Sequence, residues 1–249
     1  MLKILALAAL VGVGGAAAAQ GNELIYTSGD ATLKGYFVKA ASGKGKAPGV
    51  VVLPAWLGLN AFAKSVADKL GAMGYNALAA DIYGNGELLS DMATAAERSG
   101  YYKKNYAIYQ RRIQAAIDAL VRQGADPARI VVMGYCFGGT GALEAVRGGL
   151  PVKGIVTFHG GLARDTTRPI TPITAKVLVL HAAADQTMTD ADVLSFQHEM
   201  RDSKADWQMI YYADAQHGFT EPGSKVYNES AARRSWQHMQ LFLKEVFGE

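Results

Sequence analysis

From residue 49 onward the hydrophobic positions of this chain fall into short unbroken runs, separated by stretches in which they recur every three or four residues. The runs are "GVVVLP" (49–54), "YNALAAD" (75–81), "RIVVMG" (129–134), "VKGIVTF" (152–158), "AKVLVLH" (175–181) and "WQMIYYAD" (207–214). Runs of this kind predict strands buried on both faces, as in a parallel sheet covered by helices on either side. Between them Val66, Leu70 and Met73 lie at helical spacing before Gly74, and residues 105–123 carry Ile108, Ile113, Ile117, Leu120 and Val121. The closing "VYNESAARRSWQHMQLFLKEVFG" has the same period and stops at Gly248. Ahead of the first run, "ELIYTSGDATLKGYFVKA" reads as an antiparallel hairpin turning at Ser28-Gly29-Asp30. The pattern predicts an α/β fold: a mostly parallel doubly wound sheet with an N-terminal antiparallel hairpin.

Length and composition fit one globular unit, since half of the 249 residues are hydrophobic. We expect a single domain over residues 20–249; the Gly/Lys-rich stretch at 43–49 is a surface loop, because what precedes it is too short to fold alone. Residues 1–19 have the form of a secretory signal peptide: Lys3, an apolar run from Ile4 to Val13, and Ala17-Ala18-Ala19 before a cut near Gln20. The mature chain is therefore expected in the periplasm or secreted, with no stable membrane span. Its removal takes only Lys3 from a formal charge of +3, leaving too small a balance to imply nucleic acid as a partner. The oligomeric state is not written in the sequence. No metal or cofactor is implied, because no His-x-x-x-His with a nearby carboxylate occurs.

The chain has one cysteine, so an internal disulfide is impossible and Cys136 is an inert filler, a link to another chain, or reactive. Its setting, "VVMGYCFGGTGA", puts it where a strand runs directly into a helix, with Gly134 two residues before and Gly138 two after. Such a turn strains the central residue and needs small neighbours, and it holds the central side chain at the carboxyl end of the sheet. The helix that follows aims free N–H groups at the same point, favouring a thiolate and any oxyanion beside it. No Lys-Ser/Thr follows, so the turn is not a phosphate loop.

A nucleophile here needs a base and an acid, which follow it in the order acid, histidine. His198 and His238 fall inside predicted helices; His159 and His181 end strands, so either can line the site, but they lie at or before the strand that brings the acid; His217, in "YYADAQHGF", follows the last strand in a loop beside Gly218. For the acid, Asp185 lies just after a buried strand and ahead of a helix expected to begin near Thr189 or Asp190, where Asp190 and Asp192 have work as cap or first-turn charges. Cys136, His217 and Asp185 thus form a candidate triad. The oxyanion donors are expected at the backbone N–H of Phe137 and in the "AWLGLN" loop, where Trp56 is the best candidate and its ring could wall an apolar substrate.

With these residues identified, the chain resembles the dienelactone hydrolase family of the α/β-hydrolase superfamily, through "PAWLGLN", "AADIYGNG", "GYCFGG", "FHGGL", "HAAADQTM" and "HGF". The resemblance implies the α/β-hydrolase fold, a triad of Cys136, Asp185 and His217, and oxyanion donors on Trp56 and Phe137. It also exposes departures. Where the family usually has a glutamate that helps to activate the thiol, this chain has Ala55, and where dienelactone-cleaving members have arginines for the substrate carboxylate it has Asn85 and Glu221. The expectation is an exported, cofactor-free hydrolase of small-molecule esters, lactones or thioesters, acting through an acyl-thioester and not specific for dienelactone. A non-catalytic binding protein on the same scaffold, or a thiol redox sensor, is the alternative.

Overall fold

The computed structural model describes residues 20–41 and 46–249; the signal-peptide reading of residues 1–19 lies outside the described residues. The chain begins with the hairpin β1 (Asn22–Ser28) and β2 (Ala31–Val38), followed by β3 (Gly49–Leu53), α1 (Ala61–Ala72) and β4 (Asn76–Ala79). Two helices, α2 (Met92–Lys104) and α3 (Tyr106–Arg122), lead to β5 (Ile130–Tyr135), α4 (Phe137–Arg147) and β6 (Gly154–Phe158). The rest is β7 (Lys176–Ala182), α5 (Asp190–Asp202), β8 (Trp207–Tyr212) and α6 (Glu229–Phe247). The strands form one sheet in the order β1-β2-β4-β3-β5-β6-β7-β8. β2 pairs antiparallel with β1 and β4, and the other neighbours are parallel. This is an α/β-hydrolase-type fold.

The unbroken apolar runs arise because alternate residues of each central strand enter different cores. Val51, Leu53, Ile130 and Val132 pack on the side of α3 and α4, whereas Val50, Val52, Val131 and Met133 pack on the side of α1 and α6. Both faces are therefore dry, and no polar alternation survives in the sequence. The chain leaves β3 toward β4 on one side and returns to β5 on the other, so a crevice opens at the carboxyl ends of these strands.

Three elements differ from expectation. Helix α2 was not legible, because only Ala95, Ser99 and Tyr102 of it are buried and it has no continuous apolar stripe. The strand expected over 75–81 stops at Ala79, since Asp81 turns to organise the next loop, accepting hydrogen bonds from the N–H groups of Lys34 (3.0 Å), Gly84 (2.9 Å) and Gly86 (2.7 Å). β8 likewise ends at Tyr212, two residues before Asp214 enters the left-handed region at φ 58°.

Candidate active site

The strand-to-helix elbow is built as the glycine spacing requires. Cys136 itself sits at φ 53°, ψ −114°, a strained conformation for any residue with a side chain. A Cβ on Gly134 would run into the backbone of Gly138, and one on Gly138 into the carbonyl oxygens of Leu53 and Pro54. The first turn of α4 is thus pressed directly against the chain that leads to Trp56. The elbow is also fastened to β6, with Cys136 N–H donating to Phe158 O at 3.0 Å.

Three loops deliver the remaining groups. His217 Nε2 lies 3.0 Å from Cys136 Sγ, and His217 Nδ1–H donates to Asp185 Oδ2 at 2.8 Å. The other oxygen of Asp185 accepts from Thr187 N–H (2.9 Å) and Thr187 Oγ1–H (2.7 Å), which fixes the carboxylate plane. The acid and histidine loops are joined by backbone bonds, Ala183 N–H to Tyr212 O (3.0 Å) and Ala184 N–H to Ala215 O (2.8 Å). The three residues predicted as a triad are therefore in one hydrogen-bonded line.

Their electrostatics follow from that line. Burial opposes charge on His217, but the hydrogen bonds to Asp185 and Cys136 outweigh it and raise its pKa to about 10. Burial would raise the Asp185 carboxyl, yet the bonds from His217 and Thr187 prevail and hold it at about 2. The arrangement favours an imidazolium at His217 beside the Asp185 carboxylate.

Phe137 opens α4, so its N–H is one of the helix N-terminal donors without an intrahelical acceptor. The N–H of Trp56 likewise has no hydrogen-bond acceptor among the described residues, and its loop is pinned by Tyr83 Oη–H donating to Trp56 O at 2.7 Å. Leu89 N–H donates to Leu57 O at 2.8 Å, binding the loop before α2 to the same segment. Behind the elbow the Phe137 ring stacks on Tyr109 (4.7 Å) and Tyr83 (5.6 Å), so the donor-bearing turn rests on an aromatic block.

Beside the triad a cavity of about 360 Å³ is lined by Thr140, Gly161, Thr187, Met188, Lys103 and Arg168, among others. The loop that walls it is clamped by a buried ion cluster. Arg147 bonds Glu199 and Leu162 O, each at 2.8 Å, and Arg168 bonds Glu144 at 2.8 Å. Asn85 lies in the left-handed region at φ 56° with its N–H on Thr32 O, and Glu221 accepts from Asn60 Nδ2 at 3.1 Å. The side chains of both positions thus offer no cation.

Of the two strand-end histidines that the sequence allowed to line the site, one does. His159 is buried at φ 40°, its ring 5.2 Å from that of His217 at 65°, and its Nε2 is 2.9 Å from Thr220 Oγ1. Burial and the nearby His217 push its pKa down to about 3, so it stays neutral. The only signal for it was its position after a buried strand, which it shared with His181. His181 instead packs on Tyr211, His238 bonds Tyr212, and His198 contacts Arg201. Asp192 closes a capping box with Thr189, as its position before a helix implied.

The sequence profile of the Dienelactone hydrolase family matches residues 33–247. A solved structure described as a dienelactone hydrolase-like promiscuous phosphotriesterase from metagenomic libraries is 36% identical, covering 92% of this chain and 99% of its own, with a TM-score of 0.87. Another, called m3DLH, is 35% identical over the same shares with a TM-score of 0.88. A Bradyrhizobium protein named "Probable 2-oxo-3-(5-oxofuran-2-ylidene)propanoate lactonase" is 28% identical, covering 80% of this chain and 84% of its own.

Proposed function

The chain belongs to the dienelactone hydrolase family and is a hydrolase of that type, and from this premise we propose that it cleaves uncharged carboxylic esters, lactones or thioesters with Cys136 as nucleophile. The observation that carries this reading is the unbroken contact from Cys136 Sγ through His217 to Asp185. The thiol proton passes to His217 Nε2, and the thiolate adds to the carbonyl carbon. The oxygen that becomes negative is met by the N–H groups of Phe137 and Trp56. Collapse expels the alkoxide or thiolate, which takes the proton from His217. Water then attacks the acyl-thioester while His217 accepts its proton, and expulsion of the thiolate frees the acid. Asp185 holds the imidazole with Nδ1–H toward itself throughout.

Ala55 removes the acidic helper expected from the resemblance, but His217 contacts the thiol directly and supplies a proton acceptor without it. At the two positions where the resemblance would place arginines the charge pattern supports an uncharged substrate, while of the cavity cations Arg168 is paired with Glu144 and Lys103 stands in the lining. Neither position 85 nor position 221 offers a cation, and Glu221 would repel a substrate carboxylate. The Bradyrhizobium relative is named for an anionic lactone, which makes such lactones the comparison that matters. We further propose, on the leader-like residues 1–19, that the enzyme acts outside the cytoplasm after a cut before Gln20.

The test is turnover of a panel of p-nitrophenyl esters, neutral lactones and anionic lactones by the wild type and Cys136→Ala. Loss of all turnover in a folded variant, with neutral substrates preferred by the wild type, is expected. Equal rates in the two proteins overturn the mechanism, and a preference for anionic lactones overturns the substrate class. N-terminal sequencing of the exported protein checks the cut.

A further inference from the structure

On the opposite side of the sheet from the cavity lined by Thr140 and Thr187, between α1 and α6, lies a second cavity of about 390 Å³. Its inner wall is aromatic: Phe62, Tyr135, Phe158 and Trp236 all line it. Tyr135 stacks on Phe158 with centroids 4.5 Å apart and receives the edge of Phe62 at 5.0 Å, so the wall is rigid. A void of this size falls within the ~300–1,000 Å³ typical of small-molecule sites, and a helix pair over a packed sheet has no need to leave one.

The second observation is polar. Tyr135 is only 3% exposed, and its hydroxyl, which no protein group bonds among the described residues, is not among the sealed-off polar atoms and so stays open to an occupant or to solvent. Buried tyrosines normally find a partner, and burial keeps this one protonated, far above the ordinary tyrosine range. It therefore offers a donor that the protein leaves unused. At the rim stand Lys69 and Arg233, neither in an ion pair among the described residues, with Glu229 the opposing charge. Lys69 lies over the Trp236 ring at 5.6 Å.

We propose that this cavity is a binding site for a small aromatic carboxylate, separate from the catalytic site. The ring of such a ligand packs among Phe62, Phe158 and Trp236. Its carboxylate takes the rim cations or the Tyr135 hydroxyl, according to depth. The site has a physical contact with the triad: Thr220 lines the cavity and bonds His159, whose ring abuts His217. An occupant touching Thr220 is then two side chains from the base. The inference does not depend on what the triad hydrolyses.

2-Naphthoate is the probe, titrated by calorimetry into the mature chain whose Cys136 has been alkylated so that the catalytic cleft is blocked. Saturable one-to-one binding is expected. It should weaken at least fivefold in Tyr135→Phe and in a Lys69→Gln/Arg233→Gln double variant, and vanish in Ala232→Trp, where a large side chain enters the cavity from α6. Circular dichroism and p-nitrophenyl ester turnover of unalkylated Ala232→Trp report that fold and catalysis persist. If Ala232→Trp does not fold, Trp236→Leu replaces it, with the same weakening expected. No saturable binding, unchanged binding in the folded variants, or binding abolished by alkylation of Cys136 each overturns the proposal. The turnover assay of wild type without naphthoate, run in parallel, stands or falls separately.

Discussion

The His159 ring stands edge-on to that of His217, centroids 5.2 Å apart, so a neutral buried imidazole props the one that changes charge. The two have opposite linkage to pH. His159 has a folded pKa of about 3 against an ordinary 6.5, so between those values the unfolded chain binds the extra proton. Stability must fall as pH drops through that window, by at most ~1.4 kcal/mol per pH unit for one proton. His159→Asn, which tolerates the left-handed backbone and does not titrate, should flatten the fall in urea midpoints between pH 6.5 and 4. An unchanged slope would show that His159 is not kept neutral.

His217 works the other way. Its pKa is raised from 6.5 to about 10, so the folded chain holds the extra proton between these values and the stabilisation is lost as pH rises through them. In Asp185→Asn the largest remaining support for the imidazolium is gone. Turnover should fall by about a thousandfold while the stability loss above pH 6.5 shrinks. The pH profiles of turnover and of urea unfolding, measured together, check both parts; wild-type turnover in this variant would exclude Asp185 from the triad.

Two glycines make a matched pair of opposite sign. A Cβ at Gly138 meets the carbonyl oxygens of Leu53 and Pro54, which are backbone and cannot yield, whereas at Gly100 it meets nothing within 4 Å. Gly138→Ala should cost about 2 kcal/mol or more and displace the oxyanion donors. Gly100→Ala, in mid-helix, should stabilise by roughly 0.5–1 kcal/mol. Denaturant midpoints of the two variants settle the contrast, and similar shifts would mean the elbow is not tight.

Glu221→Gln keeps an acceptor for Asn60 and removes only charge. Turnover of anionic lactones should improve a few-fold relative to neutral esters, and the gain should shrink with added salt. Equal change for both substrate types would place Glu221 too far from the bound substrate to matter.

The hydrogen-bonded line of Cys136, His217 and Asp185 was legible because each member had a local signature: glycines around Cys136, a post-strand loop with no helix to cap at Asp185, and a terminal glycine-flanked loop at His217. The sheet was legible for a related reason, since two-sided burial writes itself as unbroken apolar runs. What stayed hidden was set by tertiary contact. His159 and His181 both follow buried strands, and only the packing of Thr220 and Phe219 distinguishes the one beside the base. Helix α2 escaped because it buries small and polar residues, Ala95 and Ser99, against its neighbours.

Cys136, Asp185 and His217 hang from the ends of β5, β7 and β8, while the walls of the cavity beside them come from α2, α4, the 161–168 segment, Thr187, Met188 and the start of α5. The ion cluster of Arg147, Glu144, Glu199 and Arg168 anchors that wall to the scaffold without touching the triad. The hydrogen-bonded line and most of the cavity wall therefore lie on different stretches of chain, with α4 and Thr187 shared between them. A library confined to residues 88–104 and 161–168 would reshape that wall while leaving the line from Cys136 through His217 to Asp185 in place.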